Sequence, residues 1–341
     1  MRIAFFVSNH GFGHIMRNLP VAEELIMRGH KVIMVSGEKQ LDIADQYLAG
    51  RAVLVPCDTD AGLIVKPGSL IIDHEASIAR IKEHISKWSS FMKKAPNADK
   101  YIVDIVPWAL MTAKEKGIPS YFMASFTWVD QYKPFLDENL LDKYREAFSY
   151  ADKVLYYDLV NTPTRNFFGE SDEIGFVARP FNMDKVDEIR SKHNKPIVFI
   201  SLGASNTGFD FEIDVSKLPY DFISTKAVRL SGDNVEYLNV ETPNTQDYIK
   251  ASDYCISKAG WSTVAEAMLA GVPFAVFERE DTPEDMMTID MLKERHAAIL
   301  ISVDDFKNLG RVLKKMETYE WSKTKYTNGY KKVADIICGE R

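Results

Sequence analysis

The chain opens with the stretch Arg2–Val7 (RIAFFV), which runs directly into residues 9–14 (NHGFGH). The first six residues form a nearly continuous apolar run, the pattern of a parallel strand buried on both faces. Glycines follow, where a chain that leaves a strand must turn sharply. An amphipathic segment comes next, ends at Gly29 and precedes a second apolar run over residues 31–35. This order predicts a complete βαβ unit.

Candidate strands and helices alternate along the rest of the chain. We predict strands over residues 2–7, 31–35, 52–56, 101–105, 120–124 and 153–156, then 197–201, 226–230, 236–240, 253–257, 273–277 and 298–301. We predict helices over residues 15–28, 39–48, 77–94, 108–116, 137–149, 183–192, 245–251, 262–270, 284–295 and 303–317. Such alternation is typical of α/β proteins in which helices cover both faces of parallel sheets.

The length of 341 residues favours two domains, because single cores stop growing at about 250–300 residues. A seam at Arg179-Pro180 predicts a first domain over residues 1–178 and a second over residues 179–317. The last part, residues 318–341, is expected to contain a helix over about 317–337. That helix could pack back on the first domain.

Composition excludes several classes of protein. The net charge of −7 argues against a nucleic-acid surface. Cys57, Cys255 and Cys338 are far apart and have no partner at metal-ligand spacing, so we expect reduced, structural thiols. No apolar run approaches the roughly 18 residues of a membrane-spanning helix, and no signal peptide pattern precedes Arg2. We therefore expect a cytoplasmic protein.

The second half carries a glycine turn of its own, in residues 251–276 (ASDYCISKAGWSTVAEAMLAGVPFAV). A buried strand is followed by Gly260, where the backbone can approach a ligand, and then by a helix. The N-terminus of a helix offers N–H groups and a positive dipole end, which suit a diphosphate. Lys258 precedes the turn and could neutralise phosphate, whereas Glu266 could accept both hydroxyls of a ribose.

These two motifs resemble the two-domain GT-B glycosyltransferases. The matching pieces are residues 9–17 (NHGFGHIMR), 103–107 (VDIVP), 125–128 (SFTW), 251–253 (ASD) and 258–267 (KAGWSTVAEA). Among these enzymes, the chain is similar to the peptidoglycan N-acetylglucosaminyltransferase and, more so, to the N-terminal domain of plant arabinokinase. The string GFGHI-x-R also resembles the nucleotide-sugar hydrolase of pseudaminic acid synthesis.

The resemblance implies a GT-B fold, with two Rossmann-like parallel-sheet domains facing across a cleft. It implies His14 as the catalytic base near the acceptor and Asp104 as the residue that orients its imidazole. It also implies that no metal is needed, because a helix N-terminus and nearby donors meet the charge of the diphosphate. The expected donor is a nucleoside diphosphate sugar, with uridine as the base of most relatives.

The remaining site residues are assigned by the same resemblance. Donor-binding positions are expected in the second domain, at Gly203, Ala204, Lys258, Gly260, Trp261, Ser262, Thr263, Glu266, Glu284 and Asp285. Acceptor-side positions are expected in the first domain, at Gly11, Gly13, Phe126 and Trp128. Relatives place glutamines or an Asp-Gln pair near positions 284 and 285. The carboxylates found there accept from sugar hydroxyls but repel an anionic sugar, which leaves the donor open.

Several of these residues also have a purely structural interpretation. His14 could close the glycine turn by a hydrogen bond, and Asp104 could cap the helix that begins near Pro107. Thr263 and Glu266 form a T-x-x-E capping box.

Other residues have surface or core alternatives. Lys258 could be an exposed turn residue, and Arg17 could meet a phosphate or lie on the surface. The acidic residues at 284 and 285 could be a solvated loop. Phe126 and Trp128 could be ordinary core or the aromatic pair that faces the acceptor.

The sequence thus predicts a metal-independent glycosyltransferase that moves a sugar from a nucleotide sugar to a small-molecule, glycan or lipid-linked acceptor. Two alternatives remain open: a nucleotide-sugar hydrolase of the same fold, and a nucleotide-binding protein without turnover. We expect no nucleic-acid partner, and the sequence shows no patch for membrane docking.

Overall fold

The computed structural model describes residues 1–66, 71–169, 171–202, 211–239, 242, 244–278 and 283–340. The chain divides into two compact units. The first unit comprises residues 1–178 and 328–341, and the second comprises residues 179–327.

The first unit is built on a seven-stranded parallel sheet. Its strands are β1 (Arg2–Val7), β2 (Lys31–Ser36), β3 (Val53–Pro56), β4 (Lys100–Asp104), β5 (Ser120–Ala124), β6 (Lys153–Tyr157) and β7 (Asp172–Gly175). They lie in the order β3-β2-β1-β4-β5-β6-β7. Strands β1 and β4 are neighbours although distant in sequence, with Val7 paired to Asp104. This is the topological switch point, where ligands of such sheets bind beyond the carboxyl ends of the strands.

Seven helices connect these strands. They are α1 (Gly13–Met27), α2 (Glu38–Leu48), α3 (His74–Lys94), α4 (Pro107–Lys116), α5 (Trp128–Tyr132), α6 (Glu138–Ser149) and α7 (Thr162–Phe168). The burial of β1 follows from its sequence, since five of its six residues are apolar and all five are fully buried. An aromatic-rich core that includes Phe6, Trp108 and Tyr144 holds α3, α4 and α6 against the sheet.

The second unit is built on a six-stranded sheet and a separate pair of short strands. Its strands are β8 (Ile197–Ser201), β9 (Glu212–Asp214), β10 (Asp221–Thr225), β11 (Arg229–Ser231), β12 (Val235–Leu238), β13 (Tyr254–Lys258), β14 (Phe274–Phe277) and β15 (Ala298–Ile301). Its helices are α8 (Met183–Ser191), α9 (Thr245–Ala251), α10 (Trp261–Ala270), α11 (Pro283–Glu294), α12 (Val303–Lys307) and α13 (Leu309–Thr318). The order β12-β10-β8-β13-β14-β15 places the switch point between β8 and β13.

The chain ends in the first unit with α14 (Tyr330–Cys338), which packs against α1. Arg28, just after α1, forms a 2.7 Å ion pair with Asp335 of α14. Gly329, before α14, lies so close to β7 that a Cβ there would stand 2.0 Å from the carbonyl oxygen of Ile174. Only glycine fits this approach of backbone to backbone.

The predicted C-terminal helix is wrong in its extent. Residues 320–328 are not helical, and the segment that belongs with the first unit begins at residue 328 rather than 318. Tyr319 and Trp321 pack against the core of the second unit, and the Trp321 indole donates to the carbonyl of Met316 at 3.0 Å. This packing outweighs the helix propensity of the segment.

One other sequence prediction, a strand of the second unit, needs correction. The predicted strand over residues 226–230 lies mostly in a turn, and the sheet strand is β10, five residues earlier. The alternating residues near Leu230 instead form β11, which pairs with β9 outside the main sheet. The short elements β7, β9, α5 and α7 were not predicted, because each is too short to show a periodic pattern.

Within the described residues, no helix combines the length and the apolar character that crossing a bilayer requires.

Candidate functional site

One candidate site lies at the switch point of the first sheet, where His14 and Asp104 meet. His14 is on the first turn of α1, and Asp104 is the last residue of β4. His14 Nδ1 lies 2.8 Å from Asp104 Oδ1. The carboxylate is fully buried, and the imidazole is 7 % exposed. A histidine held by a buried carboxylate is the arrangement that orients an imidazole and stabilises its protonated form.

Two further side chains of α1 converge on the same carboxylate. Arg17 donates through Nε to Asp104 Oδ2 at 2.7 Å and through Nη2 to Oδ1 at 2.5 Å. Asn18 Nδ2 donates to Oδ2 at 2.6 Å. Because residues three and four apart share a helix face, His14, Arg17 and Asn18 all reach Asp104 from one side.

Arg17 was expected to meet a phosphate or to lie on the surface. Its side chain is instead buried, with the guanidinium 4.8 Å from the centre of the Tyr157 ring. The surface interpretation is therefore wrong, and the residue is an internal counterion of Asp104. The spacing H-x-x-R-N after the glycine turn places His14, Arg17 and Asn18 on one helix face, and this spacing could have indicated a shared partner.

Asp104 is not the helix cap that the sequence also allowed. The N-cap residue of α4 is Val106, and no side chain of the described residues caps that helix. Ile105, between them, has a φ of 54°, a left-handed conformation that is rare for a β-branched residue. Such backbone strain is held in place by surrounding structure and clusters at functional sites.

The charges of the cluster shift the pKa values of both partners. Burial alone would raise the pKa of the Asp104 carboxyl, but the Arg17 guanidinium and His14 hold it well below its usual range. Burial, assisted by Arg17, lowers the pKa of His14. At neutral pH the pair therefore consists of an ionised carboxylate and a neutral imidazole, which is the protonation state of a general base.

The glycine turn that carries His14 is fixed by α2. Gln40 Nε2 donates to the carbonyl oxygens of Asn9 at 2.9 Å and of Gly11 at 2.8 Å. Gly11 has a φ of 71°, which glycine adopts without strain, and Gly13 begins α1. The turn thus places the start of α1 beyond the carboxyl end of β1.

Phe126 and Trp128 lie beside this turn but are not an open aromatic platform. Both are almost fully buried in the core of the first unit. The ring of Phe126 lies 5.9 Å from the His14 ring and 5.8 Å from the Trp128 ring, each at a steep angle. These aromatics therefore form a wall beside His14 rather than a surface on which a sugar could stack.

A second candidate site lies at the switch point of the second sheet, within the second unit. Lys258 ends β13, Gly260 is the N-cap residue of α10, and Trp261 and Ser262 open the helix. The N-cap residue Gly260 has no side chain that could cap α10. A helix that begins directly beyond a strand at a switch point is the usual binding place for a diphosphate.

The T-x-x-E capping box is not formed. Thr263 lies inside α10 rather than at its N-cap, so Glu266 is one turn too far along to close the box. Glu266 instead receives a 2.8 Å hydrogen bond from Arg179 Nη2, which also donates to Thr245 Oγ1 at 3.1 Å. Both charged side chains are buried. Arg179, noted in the sequence only as the domain seam, is thus the counterion of Glu266.

The buried ion pair of Arg179 and Glu266 should affect the stability of the fold. Replacing Glu266 by alanine leaves the Arg179 guanidinium buried without its counterion, which we expect to cost about 3–5 kcal/mol of unfolding free energy. Replacement by glutamine keeps an acceptor for Arg179 and should cost clearly less. Urea denaturation of both variants measures this difference, and equal stability of the two would contradict the account of the pair.

The other predicted donor residues are placed only in part. Gly203 and Ala204 lie outside the described residues. Glu284 and Asp285 are in the first turn of α11, with Asp285 buried and Glu284 half-buried, so neither is in a solvated loop. In the described part of the chain, no three His, Cys, Asp or Glu side chains converge as metal ligands would.

Comparisons with known proteins give one match to part of the chain and several similarities over its whole length. Residues 212–337 match the model of the glycosyltransferase family 28 C-terminal domain. This match includes Lys258, Gly260 and Glu266, the residues at the switch point of the second sheet. The chain is also similar over its length to several solved glycosyltransferases. The glycotransferase of kitacinnamycin aligns over 99 % of this chain and 98 % of its own, with a TM-score of 0.64 and 16 % identity.

The chain has the GT-B fold. Acinetobacter baumannii MurG aligns over 99 % of both chains, with a TM-score of 0.57 and 13 % identity. Both units of this GT-B protein are Rossmann-like parallel sheets, as the sequence predicted.

The chain is also similar in sequence to several curated proteins. Arabidopsis thaliana L-arabinokinase is 24 % identical over 319 residues, which is 85 % of this chain but only 29 % of that protein. An uncharacterized glycosyltransferase of Methanosarcina acetivorans is 24 % identical over 335 residues, covering 89 % of this chain and 86 % of the relative. The domain match and the names of these relatives support a transferase.

Proposed function

We propose that this GT-B protein transfers a sugar from a nucleoside diphosphate sugar to an acceptor hydroxyl, with inversion at the anomeric carbon. The observation that carries the proposal is the buried cluster of His14 and Asp104 at the switch point of the first sheet. It supplies a base at the place where a sheet of this topology binds its ligand. The match of residues 212–337 to the glycosyltransferase family 28 C-terminal domain supports a nucleotide-sugar donor.

The second unit would bind the donor. The N-terminus of α10, whose N-cap residue is a glycine, would receive the diphosphate, and Lys258 would add a positive charge beside it. Glu266, positioned by Arg179, would accept hydrogen bonds from the ribose hydroxyls. Glu284 and Asp285 would accept from hydroxyls of the transferred sugar, which favours a donor sugar without a negative charge.

His14 would act as the base through Nε2. This role requires the tautomer in which Nδ1 carries the proton and donates it to Asp104 Oδ1. In the other tautomer Nδ1 accepts from Arg17 Nη2, which also lies 2.8 Å away, and Nε2 has no free electron pair. The proposal thus assigns the proton to Nδ1, because the ionised Asp104 can only accept.

The chemical step then balances with this chain's own groups. Nε2 takes the proton of the acceptor hydroxyl while the acceptor oxygen forms a bond to the anomeric carbon. The bond from that carbon to the diphosphate oxygen breaks, and the nucleoside diphosphate leaves with the electron pair. Asp104 stabilises the imidazolium that results, and the proton passes to solvent when the product leaves. No metal ion is assigned to any of these steps.

The test is donor consumption. The protein is incubated with uridine, guanosine, thymidine, cytidine and adenosine diphosphate sugars, with EDTA and with a panel of acceptors, and nucleoside diphosphate release is measured. Release that depends on an acceptor and persists in EDTA is expected. Release with free sugar and no acceptor would identify a hydrolase instead. Tight nucleotide binding without consumption of any donor would contradict turnover altogether.

A further inference from the structure

A second buried carboxyl lies beside the His14 cluster and is not used by the proposed reaction. Asp60 follows β3 and is only 3 % exposed. Neither of its carboxylate oxygens has a hydrogen-bond partner among the described residues. Burying an unpaired polar group costs free energy, so a carboxyl left in this condition needs an explanation.

Two polar side chains of α5 are also buried without a partner in the described part of the chain, and one of them, Trp128, acts on the Asp60 carboxyl. The indole nitrogen of Trp128 and both amide atoms of Gln131 are buried without a hydrogen-bond partner among the described residues. They are three residues apart in α5, so they share the buried face of that helix. The Trp128 N–H and the Ser8 hydroxyl face the Asp60 carboxyl and lower its pKa without reaching hydrogen-bond geometry.

This group of atoms is continuous with the catalytic cluster. The Asp60 backbone N–H donates to Asn9 Oδ1 at 3.2 Å, which ties it to the turn that carries His14. The Trp128 ring contacts the rings of His10 and of Phe126, and Phe126 in turn contacts His14. The charge of Asp104 also raises the pKa of Asp60, so the two carboxyl groups share one electrostatic environment.

The local charge limits what can bind there. Arg17 is paired with Asp104, and Arg80 is paired through Nη2 with both oxygens of Asp58, at 2.5 and 2.6 Å. Each nearby arginine thus already has a carboxylate. Burial, with the Asp58 and Asp104 carboxylates beside it, raises the pKa of Asp60 to about 7. An anionic group placed here would meet the Asp58, Asp60 and Asp104 carboxylates, and both nearby arginines are already paired with a carboxylate.

We propose that Asp60, with the Trp128 indole N–H and the Gln131 amide, forms an acceptor subsite that binds a hydroxyl of an uncharged, sugar-like acceptor. The carboxyl accepts from the hydroxyl, and the indole N–H donates to its oxygen. The subsite excludes phosphorylated and carboxylated acceptors. This inference rests on the proposed function and adds the chemical class of the acceptor.

The experiment compares the wild type with Asp60→Asn, using binding rather than turnover as the readout. The probes are methyl glucoside, methyl galactoside and methyl mannoside, with glucose 6-phosphate and glucuronate as anionic counterparts. Binding is followed by saturation-transfer NMR titration at pH 8. Asp42→Asn, which removes an exposed carboxylate of α2, is the matched control.

We expect at least one methyl glycoside to bind the wild type and Asp42→Asn equally, and Asp60→Asn about tenfold more weakly, as loss of a charged acceptor implies. Glucose 6-phosphate and glucuronate should bind neither. Asp60→Asn should also melt at a higher temperature at pH 8, because the folded state no longer holds a buried carboxylate there. A residue that only stabilises the fold would show the opposite change in melting temperature.

Three results would overturn the subsite: no glycoside binds, a glycoside binds Asp60→Asn as tightly as the wild type, or the anionic probes bind as well as the neutral ones. Nucleotide binding measured on the same samples separates this failure from failure of the proposed function. If no methyl glycoside binds the wild type while a nucleotide does, the subsite alone is refuted.

Discussion

Replacement of His14 by glutamine is expected to lower turnover by about 10²–10⁴-fold, the usual contribution of a general base. Glutamine keeps a donor for the Asp104 carboxylate but cannot take up the proton of the acceptor. Because His14 lies in the first unit, the affinity for the nucleoside diphosphate should not change. Donor turnover and calorimetric titration with the nucleotide measure the two effects separately.

The matched control is His84→Gln. His84 is fully buried in the same unit, where it accepts from the Trp88 indole and contacts the carbonyl of Asp58. It has no part in the proposed reaction, so its loss should affect stability more than chemistry. Equal losses of turnover and nucleotide affinity in His14→Gln, or similar turnover in both variants, would refute the base assignment.

Replacement of Arg17 by leucine is expected to destabilise the protein by about 3–5 kcal/mol, because the fully buried Asp104 carboxylate loses its cation. The folded pKa of Asp104 lies below its unfolded value, so this contribution is present above about pH 4 and is lost as the pH falls through the folded pKa. The unfolding free energy at neutral pH, from urea denaturation, measures it.

Two further variants sharpen this test. Arg28→Leu removes a more exposed ion pair to Glu24 and Asp335 and should cost at most about 1 kcal/mol. The double variant Arg17→Leu, Asp104→Leu should recover much of the lost stability, since replacing a buried pair by apolar residues is often neutral. If Arg17→Leu costs no more than Arg28→Leu, the description of Arg17 as an internal counterion is wrong.

Arg17 also affects the pH dependence of the reaction. The guanidinium lowers the pKa of His14, so its removal should raise that pKa. The acidic limb of the activity profile should then move to higher pH in Arg17→Gln, which keeps a hydrogen-bond donor for Asp104. An unchanged limb would show that His14 titration does not govern activity.

The positions of His14 and Asp104 could be predicted because they depend on the order of strands and turns along the chain. A buried strand followed by a glycine turn places His14 beyond the carboxyl end of β1, and VDIVP places Asp104 at the end of β4. What the sequence did not show is that β1 and β4 are neighbours at the switch point. If that pairing is known, Arg17 can be placed beside Asp104, because Arg17 is three residues after His14 and lies on the same face of α1.

Residues whose role depends on contacts distant in sequence were missed. Asp60 comes shortly after β3, and Asp104 is the last residue of β4, but nothing in the sequence shows that Asp60 is buried without a cation. Arg179 was recognised only as a boundary, although it binds Glu266, 87 residues further along the chain. The charge of a buried group is set by its neighbours in space, and these are known only once the sheet order is known.

The central claim is that this GT-B protein uses a nucleoside diphosphate sugar, and thermal melting with five nucleoside diphosphates tests it most directly. The protein is melted in EDTA with UDP, GDP, dTDP, CDP and ADP. A ligand at about 100 times its dissociation constant adds about 2.7 kcal/mol, which shifts the melting temperature by several degrees. We predict such a shift with one nucleotide, and no shift with any of the five would contradict the account.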